Sequence, residues 1–199
     1  MPRLFSYVVE HDRGHAPNPY FDVCTLCRCK FRKRPGRPSN VVELAETGDW
    51  VVGTGGANRK RSAGHGKIVY AMQVTDKLTR QQYFLASRYK NKKPIKNGSY
   101  EQQMGDNKRP VGSFKKNEQF VLISRHFFYF GRNAIDIDKK KFPDLEKSGP
   151  GFRSDFDAAY IARFVKWLRK ETPGWHGDPQ MRANDVSKQK GQDKCTPSC

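Results

Sequence analysis

"GDWVVGTGGANRKRSAGHGKIVYAMQVTD", residues 48 to 76, holds two apolar runs on either side of a glycine-rich basic segment. A Gly-Asp turn opens it, a short Trp-Val-Val strand follows, and "GKIVYAMQVTD" (66–76) reads as a longer return strand. The intervening "ANRKRSAGH" would then be the tip of a hairpin, with Arg59, Lys60 and Arg61 at its apex. No Gly-x4-Gly-Lys-Ser/Thr frame exists, because Gly66-Lys67 is followed by Ile68, so an NTPase phosphate loop is not expected. Gly53 and Gly55 either let the backbone approach a ligand or phosphate closely or simply form a turn.

Working outward towards the N-terminus, "LFSYVVE" (4–10) carries apolar side chains at both parities, which predicts a strand covered on both faces. Residues 11–38 contain four prolines and two glycines, so they read as one long loop, of the kind that is usually functional when it sits inside a compact domain. Towards the C-terminus, Thr79-Arg-Gln-Gln82 has the form of a capping box before "YFLASRY" and predicts a short helix. Residues 89–118 are polar and rich in Lys and Gly, and read as an extended surface loop. "QFVLISRHFFYFG" (119–131) is strand-like, and "NAIDID" (133–138) continues it or pairs with it. "SDFDAAYIARFVKWLRK" (154–170) is the clearest helix: Ser154 and Asp157 form its capping pair, its apolar residues recur at helical spacing, and its Trp is expected to face inward.

The whole describes an α+β protein, a curved or barrel-like mixed sheet flanked by helices, with one domain over 1–179. Residues 180–199 hold almost nothing apolar and read as a disordered basic tail. The first residues turn polar too soon for a signal peptide, and no apolar run approaches a membrane span, so a cytoplasmic protein with reduced thiols is expected.

Charge narrows the partner. The 38 Lys+Arg against 20 Asp+Glu give a net charge of +18, a field that favours polyanions and makes DNA or a nucleotide the leading partner class. The basic residues cluster in runs at 28–37, where Arg32, Lys33 and Arg34 are candidate backbone contacts, at Arg59, Lys60 and Arg61, and at 88–96. Aromatic rings interleave with them, and Trp50, Tyr70, Tyr129 and Phe130 are candidate walls for a stacked or flipped base.

The chemistry-bearing residues concentrate in "HDRGHAPNPYFDVCTLCRCK" (11–30). Cys24, Cys27 and Cys29 could ligate zinc with His11, His15 or a tail cysteine as fourth ligand, or they are packed free thiols; no metal and no cofactor is expected. His11 and Asp12 are the candidate acid–base pair, since imidazole titrates near neutrality and a carboxylate can orient it; adjacent residues on extended chain point apart, so turn-capping is the alternative.

Taken together, "SYVVEHDRGHAPNPYFDVCTLCRCK", "GDWVVGTGG", "GKIVYAMQVTD", "FFYFGRNAIDI" and "GWHGDP" resemble the nucleotide modification associated domain of the second type, over residues 4–178. That family occurs mainly in bacterial and phage genomes with DNA-modification systems. Its motif positions correspond here to His11, Asp12, Gly14, Pro17, Asn18, Pro19, Cys24, Cys29, Gly48, Asp49, Trp50, Gly53 and Gly55. The turn, strand, loop and return strand also look like the start of the small PUA and EVE barrels that bind modified bases. The resemblance implies recognition or processing of a modified nucleotide in a pocket between the 11–30 loop and the "GDWVVGTGG" hairpin, with Asn18, Trp50, Gly53, Gly55 and Tyr70 as nucleotide-binding candidates. The rivals are an enzyme that installs the modification and a zinc-stabilised interaction module.

Overall fold

The computed structural model describes residues 1–27, 31–32, 39–110, 119–147 and 149–182. Its strands are β1 (Leu4–Val9), β2 (Cys24–Leu26), β3 (Phe31–Arg32), β4 (Ser39–Asn40), β5 (Trp50–Gly55), β6 (Lys67–Gln73), β7 (Asp76–Thr79), β8 (Phe120–Ser124), β9 (His126–Tyr129), β10 (Ile135–Asp136), β11 (Phe152–Arg153) and β12 (Gly174–Trp175). The α-helices are α1 (Val41–Leu44), α2 (Arg80–Leu85), α3 (Tyr100–Gln103) and α4 (Ala158–Leu168), with short 3-10 turns at Ser87–Lys92 and Gly131–Asn133.

The main sheet is mixed, in the order β11-β1-β5-β6-β9-β12, and β10 pairs with β6 beside this path. The hairpin read from 48–76 is its centre: β5 and β6 pair antiparallel from Trp50–Gln73 outward. β1 lies parallel to β5 and is covered on both faces, as its composition requires. The register shifts between Gly53 and Thr54. That bulge turns consecutive residues Val69 and Tyr70 into the same apolar cluster, while Ile68 and Ala71 serve the opposite one.

Beyond Gln73 and before His126 the same antiparallel ribbon bends into a second sheet, β2-β8-β7. The strand expected over 119–131 is thus divided at Arg125, where it passes from one sheet to the other. The sheet is open, with β11 and β12 as its outer strands, which corrects the barrel alternative; the likeness to PUA and EVE barrels is not supported. "NAIDID" pairs with β6 through β10 rather than extending β9.

One face of the main sheet is covered by α4, whose Ile161, Phe164 and Leu168 pack with Trp50, Val52, Phe128 and Phe142. The helix begins three residues later than the capping pair suggested. Asp157 itself is the N-cap and accepts from Tyr160 N at 2.7 Å. Phe164 and Leu168 are the innermost residues, and Trp167 is only half-buried against Phe142. The capping box at Thr79 and Gln82 is formed and starts α2.

Residues 89–110 depart from the surface loop expected of them. Tyr89, Lys92, Asp106 and Asn107 are buried. The described chain also continues past 179, since Gln180 N and Met181 N both bond to Asp12.

Candidate functional site

Asp12 is 1% exposed and lies where three separate segments meet. Tyr129 Oη and Gln180 N (3.1 Å) donate to its carboxylate, its own N–H donates to Arg61 O (2.8 Å), and its carbonyl accepts from Met181 N (2.9 Å). Burial raises the Asp12 carboxyl above the ordinary carboxylate range, against these hydrogen bonds and the charge of Arg132. His11 turns outward and meets Arg61, with His11 Nε2 and Arg61 Nη1 3.2 Å apart. The structure therefore brings His11 and Asp12 together with the tip at Arg59, Lys60 and Arg61, but on opposite sides of the backbone. The tip is exposed in its side chains and tied down through its carbonyls, Arg59 O accepting from Gln180 Nε2 at 2.9 Å.

Asn18 belongs to a second cluster. Its backbone forms a two-way bridge to Thr25 (2.9 Å in each direction), closing a narrow loop. Lys92, also 1% exposed, pins both ends of that loop: its Nζ donates to Asn18 O and Oδ1 (2.9 Å each) and to Thr25 Oγ1 (3.0 Å). Burial lowers the Lys92 ammonium from its usual value, and the nearby Asp106 opposes this.

The tip of the loop, Phe21-Asp22, has φ of +60° and +59° at consecutive residues. L-residues with side chains rarely adopt this left-handed region, at a cost of about 1–2 kcal/mol each. The strained tip holds Phe21 at 36% exposure. Trp175, at 39% exposure, is propped by Tyr20 (ring centroids 5.0 Å) and Tyr129 (6.2 Å). Phe21 and Trp175 both line a groove of about 280 Å³, together with Phe127, Pro19, Pro173, Asp22 and Arg125. A volume near the lower limit of small-molecule sites, roughly 300–1,000 Å³, suits one planar ring system.

The other nucleotide-binding candidates lie inside the fold. Trp50 is buried against Phe128 and the His126 ring. Tyr70 is buried with its hydroxyl 2.7 Å from that of Tyr7. A Cβ at Gly53 would stand 2.3 Å from the Tyr70 ring, and one at Gly55 1.9 Å from Gly64 O, so these glycines admit the chain's own atoms. Of the basic candidates at 28–37, Arg32 falls in β3, while Lys33 and Arg34 lie outside the described residues, as do Cys29 and 183–199.

Cys24 and Cys27 are buried free thiols. Burial pushes the Cys24 thiol up to about 12 and the Cys27 thiol well above its ordinary value, the opposite of what an activated cysteine nucleophile needs. Among the described residues no group of three or more His, Cys, Asp or Glu side chains is placed to hold a metal ion.

The groove's walls come from the 11–30 loop and from "GWHGDP", two of the stretches quoted above. Phe21, Phe127, Trp175 and Lys92 were missed as site residues; the double left-handed tip has no local signature, and Lys92 looks like any solvated lysine.

A mixed α+β chain with an aromatic groove at the mouth of an N-terminal motif loop defines a class of small basic domain. The chain belongs to the family described as nucleotide modification associated domain 2, whose model matches residues 1–118 and 110–186. No curated protein and no solved structure matches it.

Proposed function

We propose that this protein works in a nucleotide-modification system as the component that binds a nucleotide or nucleic acid, holding one base in the groove lined by Phe21 and Trp175. The observation that carries this reading is the pair of exposed aromatic rings, Phe21 and Trp175, lining one groove. Base–aromatic stacking contributes about 1–3 kcal/mol per base, and every base offers a π-face. Arg125 in the lining is suited to a phosphate, and Asp22 to the N–H groups of a base edge.

Two features support a site rather than an incidental cleft. The strain at Phe21-Asp22 is maintained by Lys92 and the Asn18–Thr25 bridge beneath it. Asp12 acts as a positioning residue: it holds Tyr129, which supports Trp175, and it anchors the segment that follows Trp175.

Titration of nucleoside monophosphates and short single strands, followed by tryptophan fluorescence and calorimetry, tests the reading. Phe21→Ala and Trp175→Ala should each weaken binding about tenfold or more in folded protein. Unchanged affinity in both variants overturns it.

A further inference from the structure

We propose a second ligand site, distinct from the aromatic groove: the cavity beside Asp106 binds an oxyanion of the size of phosphate. Its volume is about 60 Å³. That is several times the roughly 10–15 Å³ one water needs, yet too little for a sugar or a base.

Basic groups dominate its lining. His15, Arg80 and Lys108 face the cavity, beside Ala16, Cys27 and Asp106. Arg80 is buried, and its guanidinium is fixed by donation from Nη2 to Cys27 O at 2.9 Å. A guanidinium held this way brings a fixed positive charge to the cavity wall. His15 has Nδ1 3.0 Å from Met104 O, a contact that requires an N–H there and directs the other ring nitrogen elsewhere. Lys108 is exposed and brings a second cation to the lining.

The one acid among the described lining residues is compensated from behind. Asp106 Oδ1 accepts from Tyr83 Oη at 2.8 Å, and Oδ2 accepts from Thr25 Oγ1 and from Cys27 Sγ at 3.3 Å. The Lys92 ammonium sits on that same Thr25 Oγ1, 3.0 Å away. Two cationic side chains at the wall and one behind it thus outweigh a single carboxylate whose oxygens are already engaged.

The phosphate could be free or could be the 5′-phosphate of a nucleotide, and the experiment separates the two. Inorganic phosphate is titrated calorimetrically into the full chain, into Lys108→Gln, into Arg80→Gln and into Trp175→Ala. Saturable binding is expected, weakened about three- to tenfold by K108Q, abolished by R80Q, and unchanged by W175A. Because R80Q could also disturb folding, K108Q, at an exposed position, decides alone if R80Q unfolds. Displacement of bound phosphate by a nucleoside 5′-monophosphate identifies a nucleotide as the source; its absence identifies free phosphate. No saturable phosphate binding to the native chain, or equal binding to native protein and K108Q, overturns the proposal. Loss of nucleotide binding in W175A with phosphate binding retained keeps this result separate from the fate of the groove.

Discussion

Phe21 carries both the strain and the exposed ring of the groove, and one substitution separates them. Glycine adopts φ near +60° without the steric cost, at the expense of greater unfolded-state entropy, so Phe21→Gly should leave stability within about 1 kcal/mol of the native protein. Its nucleotide affinity should nevertheless fall as far as that of Phe21→Ala; thermal melts beside binding isotherms check this. Asp12 behaves differently. Since burial raises its carboxyl, the folded state holds that proton more tightly than the unfolded chain, and the associated stability is complete below the unfolded value and lost as pH rises through the folded one. The melting temperature of native protein relative to Asp12→Asn should therefore decline from about pH 4 upward. A difference that stays flat between about pH 4 and 8 contradicts it. His11→Ala, on the exposed side, should change stability by less than about 0.5 kcal/mol. Asp12 was legible as a special residue from its motif, but its role was not, because Tyr129 and Gln180 stand 117 and 168 residues away.

Among the elements, α4 and the stretch 89–110 show where sequence periodicity suffices and where it fails. The 3.6-residue repeat was enough to read α4, and Phe164→Ala should cost about 3–5 kcal/mol in a chemical denaturation curve, as expected for an aromatic deleted from a closed core. Its start was harder to read, since Ser154 and Asp157 are both capping types and only the bond from Tyr160 N distinguishes them. The capping box of α2 was readable because both partners lie within four residues. The 89–110 stretch is polar in composition, so nothing local marked Lys92 as interior. Its three acceptors belong to a loop 67 to 74 residues earlier. Lys92→Met should destabilise the protein by roughly 3 kcal/mol, because it removes three buried hydrogen bonds from a charged donor to Asn18 and Thr25, and nucleotide affinity should fall further than under Phe164→Ala. Equal loss of affinity in the two variants would remove the loop-pinning role.

At the scale of the molecule, the hairpin at 48–76 organises an open mixed sheet, and the parallel pairing of β1 with β5 is what sends the chain between them out as the long 11–49 excursion. Residues 11–38 of that excursion were legible as a long irregular segment; the position of Trp175 was not, since Gly174-Trp175 joins β9 only by long-range parallel pairing. The net charge of +18 predicts that affinity for DNA or RNA strands falls steeply with salt, by roughly 10³-fold between about 50 and 200 mM if six phosphates are neutralised, measurable by anisotropy. Charge alone would give that behaviour to any basic protein, so the central claim rests on where a base lands. Photocross-linking of a halogenated-pyrimidine oligonucleotide, followed by mass-spectrometric mapping of the modified peptide, addresses this directly. The account predicts adducts on Phe21, Phe127 or Trp175, lost in Trp175→Ala; adducts confined to the Arg59–Arg61 tip, with the groove unlabelled, would contradict it.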